Sequence, residues 1–368
     1  MKIVHVYKDF DPPVRGGIER HIALMCRYQR EWAEVSALTC SHSLASRWID
    51  RNVTRVFEVG EWGRFQSAPV APSFPWQLRR AAAAADLVVL HVPNPTAELS
   101  WLLARPKARL VVRYHSDVVR QAAAMHVYGP IQMQFLRQAD IILPTSEAYL
   151  RSSETLEPLL EQCRVVPLGI VTEAFATPGS AMVDALRARY GGPFVLFSGR
   201  HRYYKGLDYL VDAALSIQAS VVLAGDGPEH DRLVVKAAAS GARIFFPGEL
   251  DDKDLVAHLH ACDVFAFPSV ERSEAFGISI LEAQACGKPV VATRIGTGVE
   301  FANLDGETGL NVPPRDARAL AEAINRLLGD SQLRSRLGTQ ARERVNRDFH
   351  ARDIARREFD IYQEVLAR

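Results

Sequence analysis

Short apolar runs alternate with amphipathic stretches along most of the chain. Ile3–Tyr7, Val35–Thr39, Val53–Val56, Leu87–His91, Leu110–Tyr114 and Ile141–Pro144 read as strands. Gly17–Arg30, Thr96–Ala104, Val118–Gln138 and Glu147–Leu156 read as helices between or after them. Such alternation predicts a parallel sheet with helices on both faces. A stretch richer in Thr, Pro, Gly and Ser, Thr172–Ser180, interrupts the pattern and sets a domain boundary near residue 172. Beyond it, strands are expected at Phe194–Ser198, in the runs that start at Val221 and Ile244, at Asp263–Phe267, at Pro289–Ala292 and from Gly309. Helices are expected at Asp316–Leu328 and from about Phe349 to Leu366.

Composition narrows the function classes. At 368 residues, two domains of ordinary size are expected. A net charge of +1 counts against a nucleic-acid binder. The five cysteines (Cys26, Cys40, Cys163, Cys262 and Cys286) show no CxxC spacing, which suits a reducing cytoplasm and no structural zinc. The opening residues form a strand, with no apolar run of signal-peptide or membrane-span length, so any membrane role is expected to be peripheral, at the inner face.

The chemistry concentrates in Ser269–Ala292. A strand ending at Pro268 leads through a loop to a helix expected over Ile278–Cys286, C-capped by Gly287. Loops at the carboxyl ends of parallel strands are where open α/β sheets bind ligands. The first amides of the helix, those of Phe276, Gly277 and Ile278, would form an anion site. Glu274 in the loop suits sugar hydroxyls. Glu282, more than a turn into the helix, suits a vicinal diol such as a ribose. Two solvated glutamates flanking a turn is the competing reading.

The run EAFGISILEAQACGKPVVA resembles the E-x7-E signature of retaining glycosyltransferases of family 4, which adopt the GT-B fold. The resemblance covers nearly the whole chain and is most specific from Phe194 to Pro314. It implies two Rossmann-like α/β domains with parallel sheets facing across a cleft. The first is expected over residues 1–171 plus a C-terminal helix at about 350–368; the second, over 172–349, holds the nucleotide sugar. Gly199-Arg200 through Lys205-Gly206 resembles the donor-phosphate motif, in which Arg200 and Lys205 neutralise the diphosphate. Gly16-Gly17 resembles the N-terminal glycine loop, with Glu19 either holding the helix start or facing solvent. His115 and Asp117 resemble the H-x-D element: His115 contacts the transferred sugar, and Asp117 either orients it or caps the next helix. The segment reaching Gly248 and Leu250 would pack on the nucleobase. The usual linker aspartate is missing, with Thr172 or Glu173 in its place.

Gly225-Asp226-Gly227 is read as shaping a wall, and Asp251-Asp252-Lys253-Asp254 as a helix cap. No cofactor or essential metal is expected. Trp62–Arg80 gathers Trp62, Phe65, Phe74 and Trp76 among Arg64, Arg79 and Arg80. It is either a membrane- or acceptor-facing surface or, as favoured here, a loop that buries its aromatics. A dehydrogenase would need G-x-G-x-x-G or -A after a strand, and neither Gly225-Asp226-Gly227 nor Gly296-Thr297-Gly298 continues so. A nucleotide-sugar epimerase and a non-catalytic nucleotide-sugar-binding protein are the remaining alternatives. The opening HVYKDFDPPVRGGIE resembles bacterial members that add mannose or a related hexose to polyprenyl-diphosphate-linked oligosaccharides in surface polysaccharide synthesis. GDP-mannose is therefore the favoured donor, with UDP-hexose next. Trp62–Arg80 and the basic region Arg113–Arg137 are expected to meet the glycan or lipid-linked acceptor.

Overall fold

Strands that carry apolar residues at every position must be covered on both faces, and the chain meets that demand twice. A computed structural model describes residues 1–14, 16–65, 68–118 and 122–368. It divides into two compact units, Met1–Gly169 with Ala351–Arg368, and Ile170–His350.

The first unit holds a seven-stranded sheet in the order Arg47–Arg51, Thr54–Gly60, Glu34–Ser41, Lys2–Val6, Leu87–Val92, Arg109–Tyr114, Ile141–Pro144. Every neighbouring pair is parallel except Arg47–Arg51 with Thr54–Gly60. Helix Gly17–Gln29 buries Ile22, Met25, Cys26 and Gln29 along one face. The terminal helix Ala351–Leu366 does the same with Ile354, Ala355, Phe359, Tyr362 and Val365. Met25 and these terminal-helix side chains join Ile3, Leu87, Val89 and Val111 in one core, while Ile22 and Cys26 pack with Tyr7, Phe10, Ala37 and Val56 in another. Burying Ile354 and Phe359 contributes about 1.5–3 kcal/mol each, so this distant segment is integral to the unit.

The second unit holds a six-stranded, all-parallel sheet. Its order is Ile244–Gly248, Ser220–Ala224, Phe194–Ser198, Val264–Phe267, Val290–Thr293, Gly309–Val312. Helices Leu207–Ala214 and Ala317–Gly329 press Leu210, Val211, Leu320 and Ile324 into the core around Val195, Val221 and Val264.

The first unit adds detail to the expected pattern and corrects it at Trp62–Arg80. Arg47–Arg51 is an edge strand that its polar sequence conceals. It is held by cross-strand pairs: Arg47 and Arg51 lie 3.1 and 2.6 Å from Glu58, and the Trp48 and Phe57 ring centroids are 5.0 Å apart. The helix expected at Val118–Gln138 is seen over Ala122–Leu136, with residues 119–121 outside the described part. Trp62–Arg80 is not a loop that buries its aromatics. Gly63–Phe65 and Ala68–Val70 form a hairpin, and Phe74–Ala83 is a helix. That helix buries Phe74, Leu78 and Ala82, whereas Trp62, Phe65 and Trp76 are 74%, 71% and 60% exposed. Arg64 lies 2.7 Å from Asp9 and 2.9 Å from Glu61, so it pins the hairpin rather than adding free charge to it. Among the described residues no helix is long and apolar enough to cross a membrane.

Candidate active site

Sheet geometry brings the loop between Val264–Phe267 and helix Ile278–Ala285 to the carboxyl edge of the second sheet. The loop is tightly held. Ser269 Oγ donates to Glu274 Oε2 at 3.3 Å, Thr297 Oγ1 donates to the Glu274 carbonyl at 2.8 Å, and the Gly298 amide donates to the Ala275 carbonyl at 2.8 Å. The Phe276 ring is buried against Phe301 and Phe349, at centroid distances of 6.3 and 6.2 Å. Gly277 caps the helix at φ +86°, and a Cβ there would fall 2.9 Å from Ile280 Cδ1 and 3.0 Å from Phe267 Cζ. Both the left-handed backbone and the space exclude a side chain. The helix that follows turns its first amides outward from Ile278.

The cation beside this loop comes from the turn Tyr203–Lys205. Gly206 ends the turn at φ +65°, where a Cβ would sit 2.0 Å from the Pro268 carbonyl oxygen. This close approach lets the Val270 amide donate to the Tyr204 carbonyl at 2.8 Å, and it sets Lys205 Nζ 2.5 Å from Glu274 Oε2. Both side chains are about a tenth exposed. Burial disfavours the ammonium charge, but the carboxylate of Glu274, with Tyr204 and Glu282 nearby, outweighs it and raises the Lys205 pKa. Lys205, Glu274 and Glu282 therefore form one electrostatic group. Glu282 itself is buried. Arg200 is exposed, on the loop after strand Phe194–Ser198.

Gly248 ends its strand and its carbonyl accepts from the Gly225 amide at 2.7 Å; Leu250 follows, partly buried. Asp251 accepts from the Asp254 amide at 2.8 Å and so caps helix Asp252–Ala261. Glu173 lies 3.0 Å from His350 Nε2.

In the first unit, Gly16 and Gly17 open helix Gly17–Gln29, and Glu19 folds back on them, buried rather than facing solvent. Burial pushes its carboxyl pKa up. His115 follows strand Arg109–Tyr114, is 4% exposed, and donates its amide to the Val92 carbonyl at 3.0 Å. Asp117 accepts from Tyr114 and Ser153, each at 2.7 Å, and the side chain hydrogen-bonded to His115 is His91, at 2.9 Å. The described part of the next helix is Ala122–Leu136, and residues 119–121, where Asp117 would cap it, lie outside the described residues. Arg113 is fully buried and cannot belong to a basic surface. It donates to the Leu143 and Pro167 carbonyls at 2.8 and 3.1 Å and pairs with Glu358 at 3.1 Å.

Comparison with known proteins decides the family. Residues 182–344 match the family "Glycosyl transferases group 1", and residues 16–169 match "Glycosyl transferase 4-like domain". The D-rhamnosyltransferase WbpZ of Pseudomonas aeruginosa is 35% identical over 353 residues, covering 95% of this chain and 93% of that protein. The chain is a group 1 glycosyltransferase. A second relative, the O-antigen chain mannosyltransferase C of Escherichia coli, is 33% identical over 368 residues, covering 100% of this chain and 99% of that one. Sucrose-phosphate synthase from Thermosynechococcus elongatus superposes with a TM-score of 0.83 at 25% identity, over 100% and 99% of the two chains. The glycosyltransferase thus has the GT-B fold, and its activity is of the hexosyltransferase type.

Sequence reasoning did not find the residues that support the candidate side chains of each unit from behind. Ser269 and Thr297 hold the Glu274 loop, and His91 holds His115. One signal was available: His5 and His91 interrupt otherwise apolar strands, and a buried polar group there requires a partner.

Proposed function

We propose that this glycosyltransferase moves a hexose, with retention of configuration, from a nucleotide sugar to a glycan or polyprenyl-diphosphate-linked acceptor in O-antigen-type polysaccharide synthesis. GDP-mannose is the favoured donor, with UDP-hexose next. The observation that carries the reading is the buried Lys205–Glu274 pair at the start of helix Ile278–Ala285. A nucleoside diphosphate needs countercharge in the ground state and as the leaving group forms. Lys205, with exposed Arg200, supplies it, and the amides of Phe276, Gly277 and Ile278 extend it. Glu274, fixed by Lys205 and Ser269, accepts from sugar hydroxyls, while Glu282 takes the ribose diol. His115 contacts the transferred sugar, and Gly248 and Leu250 border the base. The leaving phosphate accepts the acceptor's proton, and no metal is needed. The two relatives named for rhamnosyl and mannosyl transfer support the sugar class. The exposed Trp62, Phe65 and Trp76, with exposed Arg79 and Arg80, support contact with an anionic bilayer that carries the acceptor.

Calorimetric titration with GDP, UDP and ADP, in chelator, tests the donor. Selective micromolar binding of GDP is expected. Selective UDP binding would replace mannose by a UDP-hexose, and no binding of any of the three would overturn the reading.

A further inference from the structure

A file of hydrogen-bonded side chains runs through the core of the first unit and ends at His115. His115 Nε2 lies 2.9 Å from His91 Nδ1, His91 Nε2 lies 3.0 Å from His5 Nδ1, and His5 Nε2 lies 2.9 Å from Gln29 Oε1. All four side chains are buried. Burial holds the imidazoles neutral: His5 is pushed down to about 4, and His91 and His115 fall well below the usual range. A neutral imidazole has one N–H and one lone pair. Three of them in series therefore admit only two polarities, and whichever group bonds the first ring chooses between them.

That choice is made at the far end. Glu358 is a buried carboxylate. Burial opposes its charge, but Arg113 at 3.1 Å and His21 at 3.5 Å, with the Tyr362 hydroxyl, outweigh this and bring its pKa down to about 2. A carboxylate only accepts, so Tyr362 gives it the hydroxyl proton, at 2.8 Å. The Tyr362 oxygen is left with lone pairs, and Gln29 is among the side chains that interact with it. The amide NH2 of Gln29 must face them, at a longer reach than a full hydrogen bond, so its carbonyl oxygen faces His5. The polarity follows: His5, His91 and His115 each carry the proton on Nε2. His115 Nδ1 is then a lone pair, buried and without a partner among the described residues.

We propose that Glu358 and Tyr362 on the terminal helix, acting through Gln29, His5 and His91, fix the tautomer of His115 so that Nδ1 is a hydrogen-bond acceptor reserved for a sugar hydroxyl. The assignment of that hydroxyl to the transferred sugar rests on the functional reading above; the tautomer does not. Tyr362, Gln29, His5 and His91 are positioning residues, and none of them touches substrate. The relay makes His115 selective, because a ligand group without a hydroxyl proton to donate finds no partner there.

The test is long-range ¹⁵N–¹H correlation NMR of the histidine-labelled full-length protein at pH 7, with signals assigned by single His→Gln variants. Neutral Nε2–H spectra are expected for His5, His91 and His115. In Tyr362→Phe, and in Gln29→Leu if that variant folds, the His115 signals should move toward a mixture of tautomers. The kcat for hexose transfer should fall several-fold while nucleoside diphosphate affinity stays unchanged. An Nδ1–H or cationic His115 in the wild-type protein, or an unchanged His115 tautomer in Tyr362→Phe, would overturn the relay. A correct tautomer in a protein that transfers no hexose would leave the relay standing and remove the functional reading instead.

Discussion

Replacing Lys205 by Ala should destabilise the second unit and disable transfer together. The Nζ–Oε2 distance of 2.5 Å corresponds to a gross attraction of roughly 6–7 kcal/mol at an effective dielectric near 20. Desolvation of the two groups offsets much of this. Removing one partner, however, leaves the other as an uncompensated buried charge, and the net cost should be about 3–5 kcal/mol. A denaturant series separates the units. All five tryptophans (Trp32, Trp48, Trp62, Trp76 and Trp101) lie in the first unit, so their fluorescence follows that unit, whereas far-UV circular dichroism follows both. In Lys205→Ala the dichroism transition should move to lower denaturant while the fluorescence change comes later. The double change Lys205→Met with Glu274→Leu removes both charges and should recover much of the stability. It should not recover activity, because about 2–5 kcal/mol of diphosphate interaction, at least roughly 30-fold in kcat/KM, is still missing. A shift worth less than about 1 kcal/mol in the single variant would place the pair among solvated surface bridges and refute the reasoning.

Three further outcomes are expected. Glu282→Ala should weaken nucleoside diphosphate binding by about 1–3 kcal/mol with the fold intact; titration showing unchanged affinity would remove its ribose role. Stability of the first unit should fall on acidification. His5 has a folded pKa near 4 against 6.5 unfolded, so its contribution of about 3 kcal/mol is present above pH 6.5 and lost on descent to pH 4. The Glu358 contribution follows between about pH 4.5 and 2. Tryptophan-monitored denaturation at fixed pH values reads both, and a flat profile from pH 7 to 4 would contradict the buried histidine file. Trp62→Ala with Trp76→Ala should lower co-sedimentation with anionic vesicles roughly tenfold without changing nucleotide binding. Equal sedimentation of variant and wild type would dissociate this surface from the bilayer.

Much of the molecule was legible in its sequence. Buried parallel strands announce themselves as unbroken apolar runs, which is why Leu87–Val92 and Val264–Phe267 appear nearly where expected. The Glu274–Glu282 segment was legible for a similar reason: strand, glycine turn and helix are contiguous in the chain. Where a segment's structure depends on what lies beside it, local pattern failed. Arg47–Arg51 is a strand because Glu58 and Phe57 sit opposite, and Phe74–Ala83 is a helix with only one face buried, which leaves Trp76 outside.

The sequence by itself determined two doubly covered α/β units and the residue types at the Glu274 loop. Only the tertiary structure decided that Lys205 and Glu274, far apart in the chain, are a single pair, because that contact depends on Gly206 meeting the Pro268 carbonyl. It also brought His115 into one hydrogen-bonded file with His91, His5 and Gln29, which come from three other elements. No local periodicity records such a file. Each member is set by the hydrogen-bonding need of a buried neighbour, and burial exists only once the sheet and its helices have packed.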